Sequence, residues 1–373
     1  VGAHVSGSAR RWAVAGGGTG GHVTPALALA ERIAARGDLV LLLGSKAGLE
    51  TRLVPAAGFE LAALPAAQMM GRGIADRAAA LVAIARGVLA ARRVLRQRRI
   101  EIVVSVGGYA SVPAVLAGAW LRLPIALVEP NAMPGRANRM SARLAKLLFV
   151  PFDRAAERLA RPGDPRLRRT GIPLRAELVR AFAGAPPRRP PAPPFRLLVL
   201  GGSQGARQLN DAMIALADRL AALPVEVVHQ SGEADRERVA AAFAQAGVRA
   251  EVIAFAPDMP RRYREADLAV CRAGALTVAE LAMAGLPSLL VPYPFAADDH
   301  QTANAHALAD AGAACLLPSR PLDPELLHRE LCRLFAAPDA LRAMGEAAAK
   351  LARPDAAERV VAECAGLLGN GDR

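Results

Sequence analysis

What this chain of 373 residues has little of narrows its chemistry before any motif is read. Aromatic residues make up only 4% of it, so the core must be aliphatic, and few side chains are present on which nucleic-acid bases could stack. No nucleic-acid recognition motif is present either, so no nucleic-acid partner is expected. The four cysteines, Cys271, Cys315, Cys332 and Cys364, include no C-x-x-C pair and read as small buried hydrophobes of a reducing compartment. No histidine and cysteine group has metal-ligand spacing; His300 and His306 do not share a helical face. D-x-D and G-x-x-x-x-G-K-[ST] are both missing, which argues against a metal-held diphosphate of the D-x-D kind and against a P-loop. The basic N-terminus carries an apolar run too short for a signal peptide. Acid is scarce relative to base: the net charge is +13, nearly all of the excess being arginine. Such a balance favours anionic partners such as phosphorylated substrates or an anionic membrane, although codon usage produces it equally well.

What is there reads as a folded two-domain α/β protein. Hydrophobic residues make up 53% and charged residues 22%, and the length suits two domains. Short apolar strands ("RWAVA", "DLVLLLG", "IEIVVSVGG", "LPIALVEPN", "AKLLFVP") alternate with Ala/Leu/Arg helices, the pattern of a parallel sheet covered on both faces. Thr24 and Pro25 read as the N-cap and first residue of the first helix. Ile102 to Leu121 has no charge and is long enough to span a bilayer, but "SVGGYASVP" within it reads as a buried strand, a glycine turn and a helix start. Residues 183–194, "AGAPPRRPPAPP", read as a semi-rigid linker. After them the pattern restarts with "FRLLVLGGSQGARQLN", and "GGSQG" echoes "GGTGG" of the first half.

A glycine loop between strand and helix lets backbone N–H groups approach an anion, with the helix dipole adding to the attraction. "GGTGG" therefore reads as a phosphate loop or as a tight turn. The acid that a dinucleotide fingerprint needs is not in place, since Asp38 precedes the second strand. His22 follows the loop at a helix N-terminus, where the dipole disfavours protonation; a neutral imidazole there suits a general base, and a packing histidine is the alternative. In "CRAGALTVAE", Thr277 and Glu280 fit a T-x-x-E capping box, whereas the functional reading of Glu280 is a carboxylate accepting from a ribose diol.

Together, "GGGTGGH", "VGGYAS", "GGSQGARQLN", "HQSG", "CRAGALTVAELAMAGLP" and "DDHQTANA" resemble the MurG-type N-acetylglucosaminyltransferases, in order and over nearly the whole chain. The resemblance implies a GT-B fold of two Rossmann-like domains: an acceptor and membrane-associating domain over 1–182, a linker over 183–194, a UDP-GlcNAc domain over 195–353 and a terminal helix over 354–373 returning to the first domain. It implies inverting transfer of GlcNAc from UDP-GlcNAc to lipid I, peripherally on the cytoplasmic face of the bacterial inner membrane, without a metal or other cofactor. Matched by motif, Thr19, Gly20 and Gly21 line the loop facing sugar and diphosphates. Asn131 and Arg175 reach the cleft, and Ser203 contacts the donor phosphate. Ala256 offers backbone to uracil. Ala275, Leu276, Thr277, Val278, Ala279 and Glu280 wrap phosphate and ribose, with Glu280 on the diol, and Gln301 binds the GlcNAc hydroxyls.

The implied reaction needs a base, for which His22 is the first candidate and Glu129 the second, and positive charge for the leaving diphosphate, from helix N-termini and Arg175 or Arg272. A UDP-GlcNAc 2-epimerase, which shares the GT-B architecture, is the alternative enzyme. Membrane docking is expected from Gly71 to Arg99, which carries eight arginines against the single acid Asp76. Leu81, Ile84, Val88 and Leu95 share one helical face there, and Arg86, Arg92, Arg93 and Arg96 supply charge.

Overall fold

The computed structural model describes residues 9–66, 74–186, 188–202 and 205–369, with side chains of the helix Ile74–Gln97 described from Val82 onward. It divides into two compact units: residues up to Ala176 together with those from Pro354, and Glu177–Arg353.

The first unit holds a seven-stranded, all-parallel sheet: β1 (Arg11–Gly16), β2 (Leu39–Ser45), β3 (Leu61–Leu64), β4 (Ile102–Gly107), β5 (Ile125–Val128), β6 (Leu147–Val150) and β7 (Leu167–Arg169), in the order β3-β2-β1-β4-β5-β6-β7. Near-continuous apolar strands form such a sheet because both faces are covered. Trp12, Val14 and Val104 bury into one face with Leu27 and Ile33 of the helix Gly20–Ala35. Val360, Val361 and Cys364 of the helix Ala356–Gly369 lie in the same core. Ala13, Val103 and Leu127 bury into the other face with Leu95 and Val115. Asp38 accepts from the Arg10 amide and the Trp12 indole at the start of β1. It therefore stands at the end of the sheet opposite a nucleotide fingerprint. The uncharged stretch after Ile102 runs as expected through β4, two glycines at positive φ, and the helix Val112–Trp120. Among the described residues no helix is long and apolar enough to cross a membrane.

The second unit holds six parallel strands, β8 (Phe195–Leu200), β9 (Val225–Gln230), β10 (Ala250–Ile253), β11 (Leu268–Cys271), β12 (Ser288–Leu290) and β13 (Ala314–Leu316), ordered β10-β9-β8-β11-β12-β13. Phe195 stacks on Phe335 in its core, centroids 4.7 Å apart. The proline-rich stretch, read from sequence as a linker, packs on this unit because its arginines find partners there. Arg188 donates to the carbonyls of Tyr263 (2.9 Å), Ala284 (3.1 Å) and Ala266, and Arg189 pairs with Asp267 (2.6 Å). These carbonyls sit at the ends of the helices Met259–Glu265 and Ala275–Ala284, so one buried guanidinium caps both C-termini.

In each sheet the strand order reverses beside the first strand, between β1 and β4 and between β8 and β11. The crevice at the carboxyl ends of such a pair is where open α/β sheets take ligands.

Candidate active site

The first helix starts earlier than the sequence suggests. It spans Gly20–Ala35 with Thr19 as N-cap, so Pro25 lies inside it and Thr24 is not the cap. The glycines wind the first turn themselves, the Thr19 carbonyl accepting from both His22 N (3.1 Å) and Val23 N (3.1 Å). His22 is thereby a first-turn residue, with Nδ1 3.0 Å from the Thr19 hydroxyl.

Two neighbouring features explain the glycines. Gly107 and Gly108, both at positive φ, cross beneath the loop; a Cβ on Gly108 would come within 2.5 Å of the Gly17 carbonyl oxygen and 3.5 Å of the His22 ring. On the other side lies Glu50, fully buried and not singled out from the sequence. Its Oε2 accepts from the Gly18 amide (2.9 Å) and its Oε1 from the Ser45 amide and hydroxyl (2.7 Å each). A Cβ on Gly17, Gly44 or Gly48 would lie 2.3, 2.6 or 2.0 Å from Glu50 side-chain atoms, so these three glycines make the room the carboxylate occupies. Burial pushes its pKa up, but the hydrogen bonds from Gly18 and Ser45 outweigh burial and hold it below 4.5.

Glu129, the second candidate base, is a loop anchor. It is 2% exposed; Oε1 accepts from Asn131 N (2.9 Å) and Nδ2 (3.2 Å), and Oε2 from Gly135 N (3.1 Å) and Asn138 Nδ2 (2.9 Å). Desolvation raises its pKa against those bonds. A carboxylate with four donors on it fixes the shape of the loop after β5, including Asn131. Asn138 in turn abuts Gly107, so the loops after β1, β4 and β5 meet, bringing Thr19, Gly20, Gly21, His22 and Asn131 to one end of the sheet. Arg175 is placed differently: its Nε pairs with Glu31 (2.5 Å), about 16 Å along the helix from Gly20 at 1.5 Å per residue.

In the second unit the capping-box reading fails. The helix Ala275–Ala284 takes Gly274 as N-cap, so Thr277 lies within its first turn and Glu280 in its second. The half-buried Glu280 carboxylate instead accepts from the Tyr263 hydroxyl at 2.7 Å. Burial raises its pKa to about 7, and the tyrosine bond opposes the rise. The amides of Ala275, Leu276 and Thr277 head this helix, with Val278 buried and Ala279 half-buried. Arg272 donates to Gln208 Oε1 (3.1 Å) and to the carbonyls of Val291 (3.2 Å) and Pro292 (3.0 Å), tying the ends of β11 and β12 together. Gln301 accepts from Tyr293 N (2.9 Å), and buried Asn304 donates to the Ala273 carbonyl (3.1 Å), seating the helix His300–Ala309 beside the loop after β11. Ala256 is buried, and Ser203 lies outside the described residues. Among the described residues no cluster of three or more His, Cys, Asp or Glu side chains is placed to hold a metal ion.

Two parallel α/β units, each with a glycine turn and helix N-terminus at its switch point, have the architecture of the GT-B class. Residues 12–150 match the glycosyltransferase family 28 N-terminal domain and residues 196–360 the glycosyltransferase family 28 C-terminal domain. The UDP-N-acetylglucosamine--N-acetylmuramyl-(pentapeptide) pyrophosphoryl-undecaprenol N-acetylglucosamine transferase of Stutzerimonas stutzeri (strain A1501) is 44% identical over 358 residues, 93% of this chain and 96% of that one. Its counterpart in Shewanella amazonensis (strain ATCC BAA-1098 / SB2B) is 42% identical, over 95% of this chain and 97% of that one. The crystal structure of Acinetobacter baumannii MurG matches with a TM-score of 0.78 at 32% identity, covering 94% of this chain and 98% of that one. The chain belongs to glycosyltransferase family 28, among the MurG-type N-acetylglucosaminyltransferases. A putative UDP-N-acetylglucosamine 2-epimerase from Listeria monocytogenes, with a TM-score of 0.69 at 16% identity, shares the fold alone.

Proposed function

We infer that this enzyme transfers GlcNAc from UDP-GlcNAc to the C4 hydroxyl of MurNAc in undecaprenyl-pyrophosphoryl-MurNAc-pentapeptide, with inversion, converting lipid I to lipid II in peptidoglycan synthesis. The observation that carries the reading is identity above 40%, sustained through both units, to transferases named for this reaction.

In the proposed chemistry the first unit takes the acceptor and the second the donor, close to the division at 1–182 and 195–353 expected from sequence. His22 removes the proton of the attacking hydroxyl, its ring oriented by Thr19 and backed by Gly108. Gly20 and Gly21 present first-turn amides to the sugar and diphosphates. The head of the helix Ala275–Ala284 receives the departing diphosphate, with Ser203 contributing to the phosphate site. Glu280 accepts from the two ribose hydroxyls, Ala256 offers backbone to uracil, and Gln301 reads the GlcNAc hydroxyls. Asn131 adds to the UDP-GlcNAc contacts of the first unit, and Arg175, read from sequence as part of the same set, is held away from that end of the sheet by Glu31. Glu129, fully engaged, is left out as a base.

The acceptor is held in a bilayer, and the proposed contact is the outer face of the helix Ile74–Gln97. Of the face predicted from sequence, Leu95 is buried and Val88 packs against the same core, while Ile84 is only half-buried. Helical period identifies a face but not its partner. Gly71, Asp76 and Leu81 fall outside the described residues or side chains. The exposed stripe is Val82, Arg86, Leu89, Arg93 and Arg96, spaced by alternating fours and threes. Beside it Trp120 is 56% exposed, with Arg92 stacked 4.4 Å from its ring centroid. Arginines around exposed apolar side chains suit reversible binding to anionic lipid at about 1 kcal/mol per arginine.

The test is UDP release with a lipid I analogue, with UDP-GlcNAc alone as the control arm. Release that requires the analogue supports the transferase; UDP-ManNAc from UDP-GlcNAc alone would make it an epimerase. Co-sedimentation with phosphatidylglycerol vesicles, weakening in salt and in Arg86→Gln/Arg93→Gln/Arg96→Gln, tests the membrane face; equal binding of both proteins removes it.

A further inference from the structure

Tyr263 is 1% exposed, on a different helix from Glu280 and well separated from it in sequence, and its hydroxyl donates to Glu280 Oε2 at 2.7 Å. The two helices that carry the pair are fixed at their C-terminal ends by one side chain. Arg188 binds the carbonyls of Tyr263 and Ala266 from one and of Ala284 from the other. The phenol therefore meets the carboxylate from a preset position. Among the described residues the other titratable group whose charge is coupled to Glu280 is the Cys271 thiol at the end of β11, which burial pushes up to about 12 and so keeps neutral. Among the described residues Glu280 thus takes one side-chain hydrogen bond, from Tyr263, which sets the direction of the carboxylate and opposes the effect of burial on its charge.

We propose that Tyr263 is the positioning residue for donor binding: it occupies one lone pair of Oε2 and thereby presents the rest of the Glu280 carboxylate, ionised, to a vicinal diol of the nucleotide. The proposal rests on the ribose reading of Glu280 given above. A carboxylate accepting from two hydroxyls must be charged to bind best, because protonation removes acceptor capacity. Glu280 titrates at about 7, so diol binding strengthens as pH rises through that value. Without the Tyr263 hydroxyl, nothing opposes the desolvation, and the midpoint moves upward.

The experiment is UDP affinity by calorimetry between pH 6 and 9 for the native chain, Tyr263→Phe, Glu280→Gln and the double variant. Glu280→Gln supplies the baseline for the titration of UDP itself. Expected are native affinity that rises through neutrality above that baseline, about tenfold weaker binding of Tyr263→Phe at pH 7 that recovers towards pH 9, and a double variant equal to Glu280→Gln. If Glu280→Gln binds UDP like the native chain, the ribose reading falls, and the proposal with it. If Glu280→Gln is weak while Tyr263→Phe keeps the native midpoint, the proposal alone falls. A Tyr263→Phe loss of equal size with and without Glu280 marks a purely structural tyrosine and also overturns it.

Discussion

Replacing Glu50 by glutamine is the sharpest perturbation of the loop that carries His22, because shape is kept and one oxygen becomes an amide NH2. Oε1 takes two bonds from Ser45 and Oε2 one from Gly18, so the glutamine carbonyl goes to Ser45 and its NH2 faces the Gly18 amide, donor against donor. The loss is one charge-assisted bond, about 1.5–3 kcal/mol, together with weakening of the two Ser45 bonds once their acceptor is neutral. A total of about 2–4 kcal/mol lowers the melting temperature of a unit this size by roughly 5–15 °C. If the loop escapes by shifting instead, stability is spared and His22 moves with it; a displacement near 1 Å costs about 10²-fold in kcat. Calorimetric melting, kcat with the lipid I analogue, and UDP affinity are measured on the same protein. UDP affinity is expected to weaken together with kcat if the loop shifts, because Gly20 and Gly21 of the same loop are proposed to face the diphosphates. A Glu50→Gln chain with native melting and native kcat would refute the reasoning.

His22→Ala is expected to lower kcat by roughly 10²–10⁴-fold with UDP affinity kept, and near-native turnover removes His22 as the base. His229 supplies a pH prediction. Asn210 gives its NH2 to Ser231 O and Asp235, so its Oδ1 accepts from His229 Nε2–H (2.9 Å), and buried Nδ1 carries no proton and has no partner among the described residues. Burial lowers its pKa from 6.5 to about 4, so its contribution is complete above pH 6.5 and lost as pH falls towards 4, about 3 kcal/mol in all. Denaturant unfolding should show that slope in the native chain and lose it in His229→Gln; an unchanged slope assigns the acid sensitivity to other groups.

The parts legible in the sequence were those written in local pattern. Apolar runs beside glycine turns marked both sheets and both switch points, and "VGGYAS" announced a strand and turn where hydropathy alone suggested a span. What escaped was written at a distance. Tyr263 and Glu280 meet only after two helices pack, and Glu50 reaches Gly18 from another element. Local rules also misplaced helix starts at Thr24 and Thr277, since a Ser/Thr rule passes over a start wound by glycines. For the helix Ile74–Gln97 the period was right, and the C-terminal part of the side chosen for solvent contact, Val88 and Leu95, faces the core.

The helix Ala356–Gly369 gives this molecule an order of assembly. Val360, Val361 and Cys364 fill the same core as Trp12, Val23 and Leu27, so β1 waits for a helix made long after it before its hydrophobic face is closed. Everything from Glu177 to Arg353 is synthesised in between and has its core complete within itself. The middle of the chain can therefore finish folding while the unit that began first still exposes aliphatic surface. Until the helix Ala356–Gly369 has been made, that open face is exposed to non-specific association, and a nascent chain stalled before Pro354 carries a finished second unit attached to an unfinished first one.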